Sequence, residues 1–160
     1  MKKFTLSLII FLGLSGCMLF TAFIHINSLE EDAVYVHKLL NDHYDPGQGG
    51  IAVKRYELSI NSTGFCRYKR YFTSGKVEYF SFNLQKFKDL DYLGNNRRGL
   101  LLLNTKGEDV IVQTYKDRKN GDVDSMSTFL TIPLKEVEPE DLIELMNRLT
   151  RMNALLSTQK

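Results

Sequence analysis

Tryptophan is absent from this chain, and proline, histidine and cysteine are scarce: three, three and two in 160 residues. Each shortage excludes something. Two cysteines allow at most one internal disulfide, so a stapled scaffold is ruled out and the body must be held by its core. Cys66 is expected to be a buried structural thiol. The histidines are His25, His37 and His43. The last two are six residues apart, on different sides of any helix, and no H-E-x-x-H pair exists. Without a placed histidine, a Ser or Cys nucleophile lacks its usual base. There is no G-x-S-x-G, no P-loop and no dinucleotide fingerprint, so the chain is expected to be non-catalytic and to need no cofactor.

Net charge is also missing. The formal +2 comes from Lys2 and Lys3 alone, and the remainder carries 19 basic against 19 acidic residues. Nucleic-acid binders show a basic excess or a recognisable module. Neither is present, so nucleic acid is not expected as a partner.

What is present begins at the N-terminus. After Met1-Lys2-Lys3, residues 4–26 carry no formal charge. As a helix these 23 residues span roughly 34 Å, enough to cross a hydrocarbon core of about 30 Å. Two readings fit. In one, residues 4–13 are the apolar core of a signal peptide and Leu14-Ser15-Gly16-Cys17 is a processing site. That tetrapeptide resembles the lipobox of bacterial lipoproteins. The resemblance covers residues 1–17 only, and implies lipid on the Cys17 sulfur, cleavage before Cys17 and acylation of the new amino group. In the other reading nothing is cut, and residues 4–24 remain a transmembrane helix. Met18-Leu19-Phe20-Thr21-Ala22-Phe23-Ile24 favours this, since the stretch after Cys17 stays apolar. Both readings put Lys2 and Lys3 in the cytoplasm and the body outside it, at the cell envelope. Residues 1–26 are thus read as signal or anchor, and 27–160 as a single domain.

The body has helical signals at both ends. Ser28-Leu29-Glu30-Glu31 is a capping box. Leu29, Ala33, Val36 and Leu40 then share one face of a helix expected to run to about His43. Near the other end, Pro139 suits a first helical position, and Leu142, Leu145, Met146, Leu149 and Met152 form an apolar stripe. Glu138, Glu140 and Asp141 lie at that helix's positive end.

Between them the period is two. Residues 51–60, 65–72 and 79–84 alternate, with turns at Asn61-Ser62-Thr63-Gly64 and Thr73-Ser74-Gly75-Lys76, predicting a three-stranded meander. Lys86 to Arg98 reads as a polar connection with a short helical turn near Asp89. Leu100–Leu103, Val110–Tyr115 and Ser127–Ile132 read as three further strands, the last two joined through Asn120-Gly121. The expected fold is α+β: an N-terminal helix, a six-stranded mostly antiparallel sheet of two meanders, and a C-terminal amphipathic helix. A curled, barrel-like sheet is the alternative. Asp117 to Asp124 is rich in acids, but Lys119 occupies the third position of a calcium-type loop, so a hairpin tip is expected and no metal. Asn61-Ser62-Thr63 matches a glycosylation acceptor and is read as a turn.

Charge is segregated along the chain. Residues 51–98 hold ten basic and four acidic groups, residues 28–50 one and five, and residues 105–148 six and ten. If Tyr56, Leu58, Cys66, Tyr68, Phe80 and Phe82 face the core, phase puts Arg55, Phe65, Arg67, Lys69, Tyr71 and Tyr79 on the other face. Aromatics mixed with Arg are typical of contact surfaces. An ordinary solvated sheet face would read the same way. The sequence therefore suggests a membrane-tethered, non-catalytic binding or accessory module whose partner is an acidic protein patch or an anionic envelope polymer. The alternative is a periplasmic inhibitor or immunity protein against a toxin or hydrolase, with the acids of residues 136–144 mimicking an anionic substrate.

Overall fold

The computed structural model describes residues 28–48 and 53–158. Cys17 and the charge-free segment lie outside these residues. The capping box cannot be placed either: residue 28 is already helical, and what precedes it is outside the described residues. The first helix, α1, covers residues 28–42. Its predicted face of Leu29, Ala33, Val36 and Leu40 is buried. No helix among the described residues is long and apolar enough to cross a membrane.

The meander forms as its alternation requires. Strands β1 (Val53–Ile60), β2 (Phe65–Phe72) and β3 (Val77–Asn83) pair antiparallel, with Leu58 opposite Tyr68 and Tyr68 opposite Phe80. The tight β1–β2 turn uses Gly64 at φ +84°, a left-handed conformation that favours glycine. A single 3₁₀ turn, Leu84–Lys86, follows; Asn83 caps it by accepting from the Gln85 N–H.

The strand count departs from expectation. Among the described residues there are eight strands, not six, in two antiparallel sheets. Beyond the meander lie β4 (Phe87–Asn95), β5 (Arg98–Thr105), β6 (Val110–Tyr115), β7 (Val123–Ser127) and β8 (Phe129–Lys135). The larger sheet is ordered β1-β2-β3-β6-β7 and the smaller β4-β5-β8. The supposed polar connection is thus strand β4. A register shift between Phe87 and Asp89 breaks its alternation, which hides the period of two. The supposed sixth strand is really two, which change sheets at Thr128: the Thr128 carbonyl accepts from the Thr105 N–H, and the Ser127 hydroxyl bonds both backbone groups of Phe129.

Helix α2 (Pro139–Thr158) starts at its proline, as predicted, and buries Leu145, Leu149, Met152 and Leu156. Each such side chain contributes about 1.5–3 kcal/mol of burial. Leu142 and Met146 are half-buried against the same core, which takes residues from both helices and both sheets. Near its end α2 is fastened to the β3–β4 corner. Asn153 Nδ2 donates to the Leu84 carbonyl at 2.5 Å, and Gln85 Nε2 donates to the Leu156 carbonyl at 2.8 Å.

Arg148 and Arg151 lie along α2 before its last turn. They reach back to α1, where the carboxylate of Asp32, in a residue only 2% exposed, receives Arg148 Nη1 at 2.9 Å and Arg151 Nε at 2.7 Å. Past α1, Tyr44 bridges Leu134, and the His43 carbonyl accepts from the Lys135 N–H at 2.8 Å. The His43 ring sets Nδ1 3.0 Å from the Lys135 carbonyl. The first turns of α1 lie beside the β1–β2 turn: Glu30, Ala33 and His37 flank Ser59 and Asn61. The β2–β3 and β6–β7 turns lie at the other end, since Val77 pairs with Tyr115.

Candidate functional site

Three strands with defined phase place the six predicted contact residues. Inward positions of the meander are filled by Leu58, Cys66, Tyr68 and Phe82, all buried, with Tyr56 and Phe80 partly so. Arg55, Phe65, Arg67, Lys69, Tyr71 and Tyr79 therefore share the outer face. Arg55, Phe65 and Arg67 are exposed, while Lys69, Tyr71 and Tyr79 are half-buried. Cross-strand pairing brings Arg55 beside Tyr71 and Lys69 beside Tyr79.

The cations rest on rings. The Arg55 guanidinium lies 4.1 Å from the Tyr71 centroid, with Lys69 Nζ at 5.0 Å from the same ring, and Arg67 lies 5.1 Å from Phe65. Such contacts are worth about 0.5–1 kcal/mol at exposed sites. Hydrogen bonding to Tyr71 pushes the Lys69 ammonium above the ordinary amine value. Glu57 also stands on this face. It accepts from the Tyr71 hydroxyl at 3.0 Å and pairs with Arg55 at 2.8 Å. The face is thus a mixed cluster with a surplus of cations, built on stiff strands.

One residue was overlooked. Arg70 has the inward phase of β2, in line with Cys66, Tyr68 and Phe72, and directly opposite it on β3 stands Glu78. The two form an ion pair. A cation among apolar inward positions, with an acid in the matching register, was the signal available in the sequence. The guanidinium lies 5.5 Å from the Tyr68 and Phe72 centroids and 5.6 Å from Phe80. Arg70 lines a cleft of about 500 Å³ between the larger sheet and the β5–β8 side of the smaller one.

Deeper in the core, the Tyr44 and Tyr68 hydroxyls bond each other at 2.7 Å, and Tyr44 stacks on Tyr56 at 3.8 Å. Burial raises the pKa of both hydroxyls and pushes the Cys66 thiol up to about 12. A thiol so protonated is a poor nucleophile. At the β6–β7 tip, backbone N–H groups of Asn120 and Lys119, helped by Lys76, hold the Asp117 carboxyl down to about 2. Asp117 thus organises that hairpin tip internally. Among the described residues no group of three or more His, Cys, Asp or Glu is placed to hold a metal ion.

Comparison with protein-family models, with curated proteins and with solved structures finds no match to this chain.

Proposed function

We propose that this protein is a non-catalytic binding module held at the outer side of a bacterial membrane through acylated Cys17. Its β1–β3 outer face would engage an acidic protein patch or an anionic envelope polymer. The support for the compartment is Lys2-Lys3 followed by residues 4–26 without charge. The observation that carries the binding role is the rigid face on which Arg55, Arg67 and Lys69 lie against Phe65 and Tyr71. Rings hold the cations in place, so less side-chain entropy is lost on contact. The inhibitor reading has less support, because its acids have internal partners: Glu138 accepts from Asn96 at 2.7 Å, and Glu144 from Arg148 at 2.6 Å.

Two measurements test this. Intact mass of the protein from its native membrane should show loss of residues 1–16 and added acyl mass. An unmodified full-length mass would assign an uncleaved span instead. For the face, the full chain in neutral-lipid nanodiscs is titrated with polyglutamate at low salt. Reversing Arg67 and Lys69 together to Glu changes four charge units, each worth about 0.2–1 kcal/mol at the surface, so binding should weaken by at least about 4-fold and by up to about 900-fold. Equal affinity in the wild type and the reversed variant would remove this face from the proposal.

A further inference from the structure

The cleft beside Arg70 is walled by the two sheets where they part at Thr128. Phe80 and Val112 line it from the larger sheet, and Leu100, Phe129 and Pro133 from the smaller. Its volume of about 500 Å³ lies within the roughly 300–1,000 Å³ typical of small-molecule sites. Two of its lining residues, Met126 and Phe129, are large apolar side chains that remain 49% and 44% exposed. Both leave apolar surface open at the cleft.

The polar groups are few and fixed. Arg70 is clamped by Glu78 and laid on three aromatic rings, so its guanidinium cannot swing out to solvent. Its side chain stays 25% exposed. A guanidinium has five N–H donors, and the Glu78 pair uses one Nη. Nε of Arg70 and Oε1 of Gln48, both in residues that line the cleft, are enclosed and find no hydrogen-bond partner among the described residues. The Ser125 and Thr131 side chains add hydroxyls to the walls.

Charge decides what kind of head group fits. Glu78 also binds Lys76 at 2.8 Å, and Lys76 reaches Asp117 at 3.2 Å. Two cations and two anions alternate, so the charge of Arg70 is already balanced while its donors are not used up. A carboxylate or phosphate entering the cleft would meet the negative charge of Glu78. An uncharged oxygen acceptor would not.

We propose that this cleft binds a small amphipathic ligand, with an apolar ring or chain between Phe80, Leu100 and Phe129 and an uncharged carbonyl-type head at Arg70. An uncharged carbonyl suits this place, because it can accept from the part of Arg70 that stays open to the cleft, its side chain being 25% exposed.

The chain has no Trp, so a single introduced indole reports its own surroundings. Phe129→Trp, in the full chain in nanodiscs, is titrated with benzamide and with benzoate. Ile143→Trp, on the exposed side of α2, controls for partition into lipid. Benzamide should change the indole emission of the Phe129→Trp variant saturably and leave that of the Ile143→Trp variant unchanged. Benzoate should bind about tenfold more weakly. So should benzamide when Arg70→Lys, which keeps the charge but loses the fork, is added to Phe129→Trp. Ser125→Leu, a change on an exposed strand that fills the cleft without touching the ion network, should abolish the response in the same background. No saturable change with benzamide, an equal change in the Ile143→Trp control, or an undiminished response with Ser125→Leu would overturn the site. Benzoate binding as tightly as benzamide would overturn the uncharged head.

Discussion

Asp32→Asn removes the charge that joins the two helices, and the structure sets its cost. The carboxylate is almost fully enclosed and serves both Arg148 and Arg151. Breaking a fully buried pair costs about 3–5 kcal/mol, mostly because the surviving charge is stranded. Here the stranding is incomplete. The Arg151 side chain is 51% exposed and returns to water. Arg148 keeps Glu144 at 2.6 Å and the Tyr35 ring at 4.0 Å. The loss should therefore be about 2–3 kcal/mol, or roughly 6–9 °C in Tm for a chain of this size. Asp42→Asn is the comparison: its carboxylate is 56% exposed and pairs with Lys38 at 3.1 Å, so it should cost under about 1 kcal/mol. Thermal unfolding followed by circular dichroism gives both values. A cycle with Arg148→Gln should show coupling of about 1–2 kcal/mol to Asp32. Equal losses at positions 32 and 42, or no coupling, would refute the claim that this carboxylate clamps α1 to α2.

Two further outcomes are expected. Stability should fall in alkali. The thiol of Cys66 and the hydroxyls of Tyr44 and Tyr68 have raised pKa values when folded, so the folded state keeps protons that the unfolded state releases. Their contribution is intact below the ordinary thiol value of 9.0 and is lost as pH climbs toward about 12 for Cys66, at up to about 1.4 kcal/mol per pH unit per group. Denaturant unfolding at about pH 8, 9.5 and 10.5, a range spanning the ordinary thiol and phenol values, should show this fall, with a shallower slope for Cys66→Ala; an unchanged slope would exclude the thiol. Gly64→Ala should cost roughly 2–3 kcal/mol, since φ is +84° and a Cβ would lie 2.5 Å from Leu156 Cδ1; a neutral effect in the same assay would contradict that packing.

The parts of the fold legible in the sequence are those where one period runs unbroken. The meander from Tyr56 to Phe82 and the stripe from Leu142 to Met152 fall where alternation and helical spacing put them, because a half-buried element forces one face to be apolar. Strand β4 was hidden by its bulge and by Asp89 and Asp91. Those acids look like loop residues, yet both accept from Asn104 Nδ2 on the neighbouring strand, at 2.7 and 2.8 Å. The change of sheet at Thr128 left no mark, since Ser127 to Ile132 reads as one run and only tertiary pairing divides it. The outer face of β1–β3 followed from phase alone. The cleft did not, because it needs Phe80 and Phe129 to meet across two sheets. Only the pairing of Arg70 with Glu78 hinted at it.

The position of α1 has a consequence for reach. Residue 28 starts beside the β1–β2 turn, and the eight residues of β1 carry the chain about 26 Å along the sheet. The hairpin tips holding Lys76, Lys116, Arg118 and Lys119 cluster at the opposite pole. If the chain is held at residue 28, as proposed above, the β2–β3 and β6–β7 tips are the part of the described domain farthest from the anchor, so a long-range partner would meet Lys116, Arg118 and Lys119 with Asp117 among them before it met the strands.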